Sequence, residues 1–147
     1  MKKIALAAIA AFVCVSAAAQ LNVKNARKAT ETITAIRTGF VRLCAAEKFI
    51  YFTLPSSNQF DGSQMFVLGK DKESALATLD DLIELVQQGE IGSSIEASNG
   101  PETCMIRVDK QLGVRVLYFD FPGCAGYCNT SKGEMEKLRA ALKKWKE

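Results

Sequence analysis

Thiols are the most reactive groups this chain could use, and two of its five cysteines sit together in FPGCAGYCNTSKGE, residues 121–134. Three chemistries suit such a pair. A redox dithiol usually has two residues between its cysteines, with the first thiol at a helix N-terminus where the dipole lowers its pKa. Cys124 and Cys128 have three residues between them. A four-thiolate zinc site needs closely spaced pairs, whereas Cys44 and Cys104 lie far apart in sequence. Structural disulfides are the third chemistry, and the favoured one. Setting aside Cys14, which falls in a predicted leader, leaves Cys44, Cys104, Cys124 and Cys128. An even set of this kind suits two bridges in a small exported domain. A bridge from Cys124 to Cys128 would close only a short ring and remove little chain entropy, so one of the two is expected to reach Cys104.

Histidine is absent from the sequence. That removes Ser-His-Asp and Cys-His catalysis and any zinc site built on imidazole. Carboxylate, lysine, tyrosine and thiol chemistry remain open. The residues that suit binding are Tyr118, Asp120 and Tyr127. Tyrosines offer a flat apolar body with a polar tip, and Asp120 stands at a strand end in YFDFPG. NTS at 129–131 matches a glycosylation sequon, and LGKDKES at 68–74 joins a strand to a helix without the glycines of a phosphate loop. No cofactor and no metal are expected.

The elements that must position these residues follow from patterning. Residues 1–19 read as a cleaved secretory signal of bacterial type. Lys2 and Lys3 precede an apolar run, and Ala17 and Ala19 offer a small-residue cleavage site. The remaining 20–147 then form one domain, periplasmic or secreted, with no stable membrane insertion. Both leader charges are basic, so 17 basic residues face 16 acidic ones in the remainder. That balance gives no steering field for nucleic acid.

Apolar residues at three- and four-residue spacing (Ala26, Ala29, Ile33, Ile36, Phe40, Leu43) predict a helix over 22–46. KFIYFTL and QMFVLG predict one hairpin, and TCMIRV and VRVLYFDF another. In the second hairpin, pairing Ile106 with Val116 would put Cys104, Ile106 and Val108 on one face with Val114, Val116 and Tyr118. Asp71 and Gly89 bracket a helix between the hairpins. Ser131 with Glu134 starts the last helix, whose stripe is Met135, Leu138, Leu142 and Trp145. EIGSSIEASNGPE is too polar to supply a core element.

The expected fold is thus a single α+β domain of order α-ββα-ββα, an antiparallel sheet with helices mainly on one face. The expected function is an exported, disulfide-stabilised binding domain without catalytic activity, for a protein, peptide or small ligand. A thiol-disulfide oxidoreductase using Cys124 and Cys128, or a structural part of an envelope assembly, are the alternatives.

Overall fold

The computed structural model describes residues 30–100 and 102–146, and the predicted leader lies outside them. Strands β1 (Glu31–Ile36), β2 (Val41–Ala45), β3 (Ile50–Pro55) and β4 (Ser63–Gly69) form one antiparallel sheet in sequence order, followed by α1 (Lys72–Gln88). Strands β5 (Ser94–Asn99), β6 (Glu102–Gln111), β7 (Val114–Asp120) and β8 (Cys128–Ser131) repeat the arrangement, followed by α2 (Lys132–Lys144). The order is ββββα-ββββα. Two sheets replace the single sheet that the α+β reading required, and helices on one face give way to a core shared by both sheets and both helices.

Three local decisions account for the correction. Over its described part, the predicted helix at 22–46 is the β1–β2 hairpin. Its stripe fits a helix, but Thr30, Thr32, Thr34, Thr38 and Val41 are β-branched and lose side-chain freedom there. Gly39, at φ +91°, finishes a left-handed turn with Arg37 and Thr38 rather than bending a helix. The polar stretch 90–100 contains β5, an edge strand. It pairs only with β6 and lies at the margin of the core, so it needs little apolar surface of its own.

The third decision is register. Ile106 pairs with Phe119, not Val116, and Val108 pairs with Leu117. The difference is an odd number of residues, so every β7 side chain changes face. Leu117 and Phe119 are fully buried in the core, and Tyr118 lies on the other face of the sheet, where its neighbours still bury it. The cause is the turn. Leu112 (φ +50°) and Gly113 (φ +81°) are both left-handed, as a two-residue type I′ hairpin turn demands.

Both helices begin where their sequences predict. The Asp71 carboxylate accepts from the Ser74 N–H at 2.8 Å, and Ser131 and Glu134 form the second capping box. Met135, Leu138 and Leu142 are fully buried, whereas Trp145 lies past the helix and its ring N–H donates to Glu31 Oε1 at 3.0 Å.

The two halves also share a short sequence match at equivalent places. IYFTLP (50–55) and LYFDFP (117–122) occupy equivalent places, each central Phe lying between its two neighbouring strands. Phe52 and Phe119 meet edge to face at 5.9 Å. The loops after β3 and β7 meet as well, through Ser57 N–H to Tyr127 O at 2.8 Å and Gly126 N–H to Asp61 Oδ2 at 2.7 Å. Helices α1 and α2 pack on each other, joined by the Arg139–Asp80 ion pair. Equivalent elements of the two halves thus touch one another.

Candidate functional site

The four described cysteines are all free thiols, which overturns the disulfide-stabilised domain. The sheet order supplies the reason. Cys104 lies on β6 and Cys128 on β8, with β7 running between them. Two strand spacings of about 4.8 Å exceed the ~7 Å that a bridge tolerates between Cα atoms. Cys44 lies on the other sheet, paired across strands with Tyr51 and with Thr32. Cys124, in the β7–β8 loop, is likewise a free thiol.

The thiols are also poor nucleophiles. Burial, and then nearby acidic groups led by Asp120 for Cys104 and by the Cys124 thiol for Cys128, push both thiols up to about 12. At neutral pH only on the order of one molecule in 10⁵ would then carry either thiolate. Cys124 is half-buried and is raised too, by burial first and then by Asp61 and Glu102. A redox dithiol needs a depressed pKa, so the oxidoreductase reading falls with the disulfides. Among the described residues, no cluster of three acidic or thiol ligands is placed to hold a metal ion.

The predicted binding residues come together. The corrected register turns Tyr118 and Asp120 to the outer face of the second sheet. Tyr127, from the β7–β8 loop, sets its ring edge to face on Tyr118 at 4.8 Å. Ser57 fixes Tyr127 from the other half, its hydroxyl accepting the Tyr127 N–H at 3.0 Å. Arg107 also lies over Tyr118, its guanidinium carbon 5.3 Å from the ring centroid. Arg107 also faces Asp109 at 3.7 Å, so its charge is already engaged.

The adjoining row runs Glu96, Met105, Asp120 across β5, β6 and β7. Both carboxylates are exposed, and among the described residues neither has a cationic partner. Met105 between them and Tyr127 beside them are each 41% exposed. Strand spacing sets the acidic residues about 10 Å apart. The row is therefore an apolar floor with a negative charge at each end, on a sheet whose other face is core.

Sequence reasoning missed Glu96, Met105 and Arg107. The signal existed, since Ile95 and Ala97 alternate with Ser94, Glu96 and Ser98 in the period of a strand. The remaining motifs are absorbed by structure. The Asn129 side chain accepts from Arg37 and donates to Gln111 Oε1 at 3.1 Å, which ties the sequon into the fold. The strand-to-helix turn of LGKDKES is filled by the Asp71 carboxylate, leaving no vacancy for an anion. No protein-family model, no curated protein and no solved structure matches the chain.

Proposed function

We propose that this chain is a recognition module that takes a basic, extended segment of a partner protein on the outer face of its second sheet. This reading needs no disulfide and makes no use of the thiols. The observation that carries it is the Glu96–Met105–Asp120 row, with two unneutralised carboxylates flanking an exposed thioether. A lysine or arginine stem lying on Met105 would bring its charged head to either carboxylate. Tyr127 would add a rigid aromatic contact, the commonest kind of anchor in protein interfaces.

The charges alone make a weak site, because an exposed ion pair contributes only about 0.2–1 kcal/mol. A Glu96→Gln/Asp120→Asn double variant should therefore weaken binding by roughly 2- to 30-fold, not abolish it. The test is an NMR titration of the isotope-labelled chain with an acetylated, amidated Lys-Leu-Lys-Leu-Lys peptide. Expected are saturable shifts at Glu96, Met105, Asp120 and Tyr127 that weaken with salt and in the double variant. Shifts scattered over the surface, or unchanged in the double variant, would remove the proposal.

A further inference from the structure

The outer face of the first sheet is the counterpart of the face just described, and it carries the opposite charge. Tyr51 stands where Tyr118 stands, by the IYFTLP and LYFDFP match and by register. Thr53 then replaces Asp120, and its cross-strand partner Arg42 replaces Met105. A cation with a hydroxyl occupies the place held on the other sheet by a thioether with an acid.

This face holds a hollow of about 310 Å³, lined by Phe40, Arg42, Cys44, Tyr51, Thr53 and Ser63. That is the lower end of the size range of small-molecule sites. The Arg42 Nε–H donates to Gly39 O at 2.9 Å, which fixes the guanidinium plane. Among the described residues its two terminal nitrogens have no acceptor and Arg42 forms no ion pair. The hydroxyls of Thr53 and Ser63 line the same hollow. Burial, then the Cys44 thiol, raise the Tyr51 phenol, so it stays neutral beside an anion.

Phe40 lies on the rim, 62% exposed. It follows the left-handed residues Arg37, Thr38 and Gly39, a backbone that costs non-glycine residues roughly 1–2 kcal/mol each. The turn is held from the other half, where Arg37 pairs with Glu134 and donates to Asn129 O at 3.0 Å. The backbone that carries Phe40 is thus held by contacts from the other half.

We infer that this hollow binds a small carboxylate with an apolar or aromatic body. Arg42 grips the carboxylate through two parallel N–H donors, a geometry that suits its fork. Thr53 and Ser63 donate their hydroxyls to the remaining lone pairs, and the body lies against Phe40. The site is separate from the basic-segment face and stands or falls without it.

The experiment is an NMR titration of the labelled full chain with 3-phenylpropionate, reading the Arg42 Nε–H and the amides of Gly39, Phe40, Thr53 and Ser63. Saturable shifts are expected at these positions. Arg42→Gln should weaken binding at least 10-fold and Arg42→Lys several-fold, because a point charge replaces the fork. Phe40→Ala should weaken it about 3-fold or more, and Glu96→Gln/Asp120→Asn should bind as the parent does. Neutral 3-phenylpropionamide and inorganic phosphate should each bind at least 10-fold more weakly. Undiminished binding in Arg42→Gln, equal binding of the amide or of phosphate, or no saturation would each overturn the inference. Arg42 is exposed, so its variants should keep the parent spectrum elsewhere, which separates a lost ligand from a lost fold.

Discussion

The thiols govern how this protein responds to alkali. Cys104 and Cys128 hold their protons to about 12 in the folded chain, whereas an unfolded thiol releases its proton near 8.5. A folded pKa raised in this way contributes stability that is fully present below about 8.5. It is lost as pH climbs from there toward 12, at up to about 1.4 kcal/mol per pH unit for each thiol. Urea unfolding at pH 7 to 10 should therefore show a falling midpoint, and Cys128→Ala should flatten the fall. An unchanged slope in that variant would show that the thiol is not held as described. Mass analysis after alkylation in denaturant, without reductant, should find all four described cysteines modified. At this scale Tyr118, Asp120 and Tyr127 stood out as aromatic and acidic residues around a strand end, but which face of the sheet they share followed only from the register. The state of the cysteines was not legible, since an even count says nothing about a strand lying between two of them.

Elements were readable where one periodicity dominated. Both helices carry caps and an apolar stripe that no strand would produce, and both begin where the sequence places them. The first hairpin shows how that signal fails. Ile33, Ile36, Phe40 and Leu43 satisfy a helical spacing, while the left-handed turn at 37–39 depends on contacts to Glu134 and Asn129, far away in sequence. The β6–β7 turn failed for another reason. Leu112 is a poor residue for a left-handed position, and no Asn-Gly pair stands at 112–113 to mark a two-residue turn. Leu112 is also fully exposed. Leu112→Asn should accordingly stabilise the chain by about 0.5–1 kcal/mol, relieving strain without removing a buried contact. Thermal unfolding decides this, and a lower midpoint would mean that Leu112 holds something in the fold.

At the scale of the whole chain, the two halves share one apolar cluster, to which both sheets and both helices contribute. Phe52 and Phe66 of the first half each touch Phe119 of the second, at 5.9 and 5.2 Å. Neither half therefore has a core of its own. The repeat itself was nearly invisible in the sequence, because only the YF-x-x-P skeleton survives. Equivalence of the other positions shows only once the strand register is known.

That shared core leaves each half incomplete by itself. A lone ββββα unit would expose the apolar surface that the other half covers, including Phe52 and Phe66, which touch Phe119. Exposed apolar surface of that kind favours self-association. Residues 30–91 made alone should therefore sediment as a dimer or remain unfolded, and a folded monomer would show that the halves never needed each other.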